Sequence, residues 1–176
     1  MKIGLFFGSF NPLHIGHIAV ANYMAKFTDL EEVWLVVSPQ NPLKEKESAA
    51  DAKKRLATVK KAIEGDPVLK VSDAEFSLPQ PSYTIHTLEH LQKKFPEDKF
   101  ALIIGSDNLN VFDQWKDHEK ILNGFKIYIY PRAGSDGGTL KTHRNVKIVD
   151  APKMDISSTF IREQIKKGKD VSSFIP

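Results

Sequence analysis

Gly8-Ser9-Phe10-Asn11-Pro12-Leu13-His14-Ile15-Gly16-His17 joins two stretches of different periodicity. Before it, the apolar run Ile3 to Phe7 predicts a buried strand; after it, Ile18 to Ala25 predicts a helix. Gly8 lets the backbone turn sharply on leaving the strand, Asn11-Pro12 initiates a turn, and Gly16 allows a close approach to the first helical turn. His14 and His17 are three residues apart, so on an opening helical turn both project from one face. Two imidazoles beside the free N–H groups at the positive end of a helix predict a pocket for an anion, phosphate above all.

Outward from this turn, strands and helices alternate. Val33 to Val37 predicts a second strand, Ala49 to Glu64 a helix, and Val68 to Val71 a third strand. In the Ala49–Glu64 helix, Ala52, Leu56, Val59 and Ile63 share an apolar face, with lysine and arginine expected on the other. A helix opens at Ser82 or Tyr83 and runs to Phe95, ahead of a fourth strand, Phe100 to Ile104. A helical piece at Asp117 to Leu122, a fifth strand at Phe125 to Tyr130 and a sixth at Val146 to Val149 follow. The last helix begins near Ser157, a good N-cap, and ends at Gly168. Continuous apolar strands alternating with helices predict an α/β fold, a doubly wound parallel sheet of order 3-2-1-4-5 with a sixth strand beyond. Ligands in such sheets bind beyond the carboxyl ends of the strands, where strand order reverses. The reversal lies between strands one and four, so the Gly8–His17 turn and Gly105-Ser106-Asp107-Asn108 meet there.

Composition bounds the function. The 176 residues suit one domain, residues 1–176, with 41% hydrophobic and 27% charged residues. A net charge of +3 argues for neither nucleic acid nor a membrane surface. With no cysteine, disulfides, thiolate zinc sites and a cysteine nucleophile are excluded. The apolar runs are too short to cross a bilayer, and the opening residues lack a signal-peptide cleavage pattern, so a cytoplasmic location is expected.

Around the expected crevice stand His14, His17, Lys44, Asp107, Trp115, Arg132, Ser157, Ser158, Thr159 and Arg162. Lys44 follows strand two and could reach across as a mobile counter-charge. Ser158 and Thr159 add hydroxyls to a second helix N-terminus, and Arg162 one turn on has the fork that grips phosphate. Asp107 can accept from sugar hydroxyls, or cap the helix after it; Trp115 can stack on a ring, or pack in the core. His86 and His90 fall at i, i+4 but lack the HExxH order, which leaves a plain helix face, and no metal site is predicted. No nucleophilic triad or carboxylate pair is present. Cations, N–H groups and hydroxyls suit phosphorus-group transfer, where positioning and charge neutralisation do most of the catalysis.

These motifs resemble the HxGH nucleotidyltransferases, and among them the bacterial nicotinate-nucleotide adenylyltransferases. The resemblance rests on Gly8–His17, Pro42-Leu43-Lys44, Pro81-Ser82-Tyr83-Thr84, Gly105-Ser106-Asp107-Asn108-Leu109 with Phe112 and Trp115, and Ile156-Ser157-Ser158-Thr159-Phe160-Ile161-Arg162. His86 departs from it, standing where the family often has aspartate. The resemblance implies adenylyl transfer from ATP to nicotinate mononucleotide, giving deamido-NAD and pyrophosphate, with Mg²⁺ carried on substrate phosphates. It implies catalytic roles for His14, His17, Lys44 and Arg162. It implies ATP contacts from Gly8, Ser9, Phe10, Gly16, Gly105, Asp107, Arg132, Ser157, Ser158 and Thr159. The mononucleotide would meet Asn41, Tyr83, Thr84 and Trp115. Neither nucleic acid nor membrane is an expected partner, and the oligomeric state, homo-oligomer included, stays open. Two alternatives remain: a sister adenylyltransferase acting on nicotinamide mononucleotide or phosphopantetheine, and a non-catalytic nucleotide-binding module.

Overall fold

Short runs of β-branched and large aliphatic residues, each bounded by polar turns, pair into one sheet because neither of their faces tolerates water. The computed structural model describes residues 1–40, 48–151, 153 and 156–176. Its strands are β1 (Lys2–Gly8), β2 (Glu32–Val37), β3 (Leu69–Ser72), β4 (Lys99–Gly105), β5 (Ile127–Tyr130) and β6 (Val146–Ile148). All neighbours pair in parallel, in the order β3-β2-β1-β4-β5-β6. This is the expected doubly wound α/β sheet, with strand order reversing at β1.

The helices are α1 (Ile15–Phe27), α2 (Ala49–Ala62), α3 (Thr84–Lys94), the short α4 (Ser106–Asn110), α5 (His118–Gly124) and α6 (Ser158–Lys166). Several boundaries differ from expectation for local reasons. The first helix starts at Ile15 rather than Ile18, because His14 caps it. The fifth strand starts at Ile127 rather than Phe125, because the Phe125 N–H closes α5 on the Ile121 carbonyl at 3.0 Å. The third strand runs one residue later than expected, and the sixth stops one residue earlier.

Apolar layers cover both faces of the sheet. Phe6, Val33, Leu35, Ile103 and Tyr128 pack with Val20 and Met24 of α1 and Val59 of α2. Ile3, Leu5, Leu102, Ile104 and Ile127 pack with Ile85, Leu88 and Leu91 of α3 and Ile121 of α5. Successive residues of β4 thus feed opposite layers, which is why its sequence is apolar without alternation. Gly4 sits where β1 passes Leu30 and Ile103, and a Cβ there would come within 2.7 Å of both side chains. One expectation fails on α2: Arg55 lies not on the outer face but inward, beside Ala52 and Val59, with 8% of its surface exposed.

Leu102, in the middle of β4, is fully buried. Truncating it to alanine is expected to cost about 2–5 kcal/mol of folding stability. Urea unfolding would show this as a lower midpoint at unchanged slope; an unchanged midpoint would contradict this packing.

Candidate active site

At the carboxyl end of β1 the chain turns through Ser9 to Leu13 into α1. His14 is the N-cap, with φ −137° and ψ 172°, and His17 is the third helical residue. The two side chains cap each other's backbone. The His17 N–H donates to His14 Nδ1 at 3.3 Å, and the His14 N–H donates to His17 Nδ1 at 3.1 Å. This is a capping box built from two imidazoles instead of a hydroxyl and a carboxylate. Because each Nδ1 accepts, each ring carries its proton on Nε2 and presents that N–H as its remaining donor.

The rings are stacked, with centroids 3.6 Å apart and planes 21° apart. Burial is the main cause holding His14 down to about 4, with the Arg132 cation adding to it. His17 is held to about 3, again chiefly by burial, then by His14 and by Arg132. Both are therefore neutral donors near pH 7. The Phe10 ring stands edge-on to His17, at a centroid distance of 5.0 Å, and also packs edge-on against Phe6 at 5.9 Å. Phe10 is 4% exposed, so its ring supports His17 from inside the fold and only its backbone can face a ligand. Gly8 is needed beneath it, since a Cβ there would lie 3.1 Å from the Phe10 ring.

A cavity of about 50 Å³ opens beside this pair, lined by His14, Gly16, His17, Tyr130, Arg132 and Ile156, among others. It has room for a group the size of phosphate, with the rest of any nucleotide in the open crevice. Arg132 follows β5, and its backbone N–H donates to the buried Ser106 hydroxyl at 2.8 Å. Its guanidinium Nε lies 4.0 Å from Asp107, the second residue of α4. Gly105 ends β4 between them: a Cβ there would lie 2.5 Å from Asp107 Oδ1 and 2.9 Å from Arg132 Cγ. Tyr130 closes the inner side, its phenol pushed up to about 12 by burial.

The second helix start comes to the same place. Ser157 caps α6 by accepting from the Phe160 N–H at 3.0 Å. The Ser158 hydroxyl donates to the Pro12 carbonyl at 2.9 Å, and Arg162 donates to the Asn11 carbonyl at 2.5 Å and to Thr159 Oγ1 at 3.0 Å. Residues near the end of the chain thus clamp the first turn.

Further along the crevice, Tyr83 caps α3 and Thr84 is its first residue. Lys116 lies over the Tyr83 ring at 4.7 Å, and Trp115 packs on Phe112 at 4.9 Å. The Trp115 segment and the start of α3 are therefore joined. Beneath them is Glu75, 4% exposed, accepting from the Thr87 hydroxyl at 2.7 Å. Burial raises the Glu75 carboxyl above its ordinary range, with the Thr87 and Ser82 hydroxyls opposing.

Asn41 and Lys44 lie outside the described residues. Of the other predicted site residues, His14, Gly16, His17 and Arg132 line one cavity, and Gly105 and Asp107 stand beside Arg132. Ser158 and Arg162 bond to the turn before α1, with Thr159 on Arg162, while Tyr83, Thr84 and Trp115 form a separate group at the start of α3. Ser106 lies within the Gly105-Ser106-Asp107-Asn108 turn but had no role assigned to it, and no motif pointed to Tyr130, Glu75 or Arg55. Ser106 and Tyr130 were within reach, since each immediately follows or ends a strand at the reversal. Among the described residues no group of three or more histidine, aspartate and glutamate side chains lies together. No helix among them is long and apolar enough to cross a membrane.

Comparison with known proteins agrees with this geometry. The cytidylyltransferase-like family model matches residues 5–164. A protein of Flavobacterium psychrophilum is 52% identical over the whole chain and 92% of its own length. One of Cytophaga hutchinsonii is 51% identical over 97% of this chain and 89% of its own. Both bear the name "Probable nicotinate-nucleotide adenylyltransferase". Among solved structures, the Plasmodium falciparum nicotinic acid mononucleotide adenylyltransferase complexed with NaAD superposes with a TM-score of 0.80. It is 20% identical, with 99% of this chain and 90% of that one covered, which makes it a match of fold. On the extent and identity of these matches, the chain belongs to the cytidylyltransferase-like family and, within it, to the nicotinate-nucleotide adenylyltransferases.

Proposed function

We propose that this protein, working in the cytoplasm as one nucleotidyltransferase domain, transfers the adenylyl group of ATP to nicotinate mononucleotide. The products are deamido-NAD and pyrophosphate, a step of NAD biosynthesis. The observation that carries the reading is the meeting of two helix starts: Ser158 of α6 bonded to Pro12 of the turn into α1, beside a phosphate-sized cavity. Relatives about half identical over the whole chain, which bear that enzyme name, support the choice of substrate.

The chemistry asks little of side chains as acids or bases. A phosphate oxygen of the mononucleotide attacks the α-phosphorus of ATP in line; the bond to the β,γ-diphosphate breaks, and pyrophosphate leaves with the electron pair. The attacking oxygen is already an anion, so no general base is needed and no covalent enzyme intermediate forms. The site must instead align two polyanions and steady the charge that moves toward the leaving group.

In this reading the Nε2–H groups of His14 and His17 donate to ATP phosphate oxygens, and His17 steadies the departing pyrophosphate. A neutral imidazole costs little to keep in a buried site, and it lets Nδ1 go on accepting the helix N–H while Nε2–H donates to an arriving phosphate. Lys44 and Arg162 hold the β- and γ-phosphates above Ser157, Ser158 and Thr159, with Gly8, Ser9, Phe10 and Gly16 offering backbone to the same nucleotide. Arg162 already spends N–H groups on Asn11 and Thr159, which aims its remaining donors. Gly105, Asp107 and Arg132 serve the nucleoside side and the phosphates. Trp115 stacks on the pyridine ring, while Asn41 and the Tyr83–Thr84 backbone meet the rest of the mononucleotide. Imidazole N–H and guanidinium groups match phosphate oxygens, and among the described residues no cluster of three histidine, aspartate or glutamate side chains could hold a metal. Magnesium therefore enters as part of the ATP substrate, on its phosphates.

Purified protein given ATP and magnesium should release pyrophosphate with nicotinate mononucleotide far faster than with nicotinamide mononucleotide or phosphopantetheine. A preference for either of the latter would move the protein to a sister activity, and no release with any would leave it a binding module. With the preferred acceptor, His17→Ala is expected to lower turnover by about a hundredfold, as for loss of one transition-state donor. ATP binding should change much less, and near-normal turnover would remove His17 from its role.

The titration of the pair sets a pH dependence. An unfolded histidine titrates near 6.5, whereas folded His14 and His17 stay neutral down to about 4 and about 3. Below about pH 6.5 the unfolded chain binds protons that the native state refuses. Their contribution to stability is full above that value and is lost as pH falls from about 6.5 through about 4 for His14 and about 3 for His17. Thermal melts from pH 8 to 4 should show this loss, and His17→Asn should reduce it. Identical pH slopes for the two proteins would contradict the assignment.

A further inference from the structure

Arg55 belongs to none of the motifs above, yet it reaches the site from behind. It stands on the inner side of α2 with its guanidinium buried among backbone carbonyls. One terminal nitrogen donates to the Ser9 carbonyl at 2.6 Å and to the Ser38 carbonyl at 2.9 Å. The other donates to the Pro39 carbonyl at 3.3 Å. Ser9 is the first residue after β1, and Ser38 and Pro39 are the first two after β2. The planar fork therefore bridges the two turns that leave adjacent strands at the crevice. A backbone bond from the Ser38 N–H to the Gly8 carbonyl, 2.9 Å, lies alongside.

The bridge has a directional consequence. In a trans peptide the carbonyl and the following N–H point opposite ways. Drawing the Ser9 carbonyl toward α2 therefore aims the Phe10 N–H away from α2, and the described residues supply that N–H with no acceptor. Phe10 itself has φ +49°, in the left-handed region that a bulky residue adopts only when its surroundings impose it. Its ring is the edge-on support of His17. Arg55 therefore acts on the opening of α1 through two links: the Ser9–Phe10 peptide and the ring that follows.

We propose that Arg55 is a positioning residue for adenylyl transfer, holding the phosphate-binding turn after β1 in register with the turn after β2. Lysine cannot replace it, since an ammonium is a point donor without the rigid fork that spans carbonyls on two loops. The inference rests on the reading of the site given under Proposed function, because it assigns Arg55 to the alignment of the two substrates. Misalignment should appear in turnover more than in the binding of either substrate alone.

The test uses the full-length protein with Arg55→Lys and Arg55→Gln, on whichever acceptor the wild type turns over. Expected for Arg55→Lys are a native circular dichroism spectrum and a roughly ten- to hundredfold lower kcat. The Kd for ATP should stay within about threefold, and hydrogen exchange across residues 8–17 should rise about tenfold or more. Wild-type kcat in folded Arg55→Lys would overturn the proposal, as would a fall in kcat that only tracks the unfolded fraction. Loss of folding in both variants at low temperature would also overturn it, placing Arg55 in the scaffold alone. If the wild type turns over no acceptor, the reading of the site fails. Hydrogen exchange then decides on Arg55 by itself, unchanged exchange across residues 8–17 overturning the proposal.

Discussion

The reciprocal capping of His14 and His17 is the constraint on which the rest of this site depends. A helix start needs acceptors for its first N–H groups, and a phosphate site needs donors in the same place. A hydroxyl or carboxylate cap satisfies the first need and opposes or ignores the second. An imidazole meets both, because its two nitrogens face different ways: Nδ1 closes the helix and Nε2–H is left for the ligand. Burial holds both stacked rings neutral, with the Arg132 cation adding to it for both and His14 adding to it for His17. Donors that are neutral before the ligand arrives need no counter-ion in the empty site.

That arrangement fixes the orientation of the rings, and the remaining contacts fix where the turn sits. From the front, Ser158 and Arg162 hold the Pro12 and Asn11 carbonyls. From behind, Arg55 holds the Ser9 carbonyl. The turn between β1 and α1 is thereby gripped through its carbonyl oxygens on both sides, which leaves its N–H groups for something else. Burying the Arg55 cation costs solvation that several carbonyl bonds must offset, and such an expense is more often met where geometry matters than where stability alone does. Side chains more than a hundred residues apart in sequence meet at this turn because strand order reverses at β1.

Much of this was legible in the residues. The strands could be read because a parallel sheet covered on both sides demands unbroken apolar runs, as in Phe100 to Ile104. Strand order then placed the two unusual turns together. Arg55 was misread for a statistical reason with a physical root. It lies three residues after Ala52 and four before Val59, on the buried stripe, but arginine is so rarely buried that its charge outweighed its position. Position along the stripe was the signal available. The start of α1 was read late because capping by histidine is uncommon, and an i, i+3 pair of imidazoles says nothing about which nitrogen faces inward. The partners of Ser158 and Arg162 were beyond reach, since hydrogen bonds to Pro12 and Asn11 carbonyls follow from tertiary placement and leave no pattern in the chain.

The scarcity of acid–base groups at the crevice then has a consistent physical explanation. Where the attacking group is a phosphate, the nucleophile needs no activation, and the barrier lies in bringing like-charged substrates together in line. Fixed donors lower that barrier only if they do not have to reorganise during the reaction. A cap that is also a donor, a turn gripped from two sides, and an aromatic edge behind His17 all remove such reorganisation. The strained backbone at Phe10 fits the same account: the left-handed turn costs about 1–3 kcal/mol of conformational energy. It is sustained because the buried ring packs on Phe6 and His17 on one side of the turn. On the proposed reading, catalytic competence rests on how the six-residue connection Ser9–His14 is immobilised, and side-chain chemistry enters mainly through the Nε2–H groups of His14, which ends that connection, and His17, in the first turn of α1.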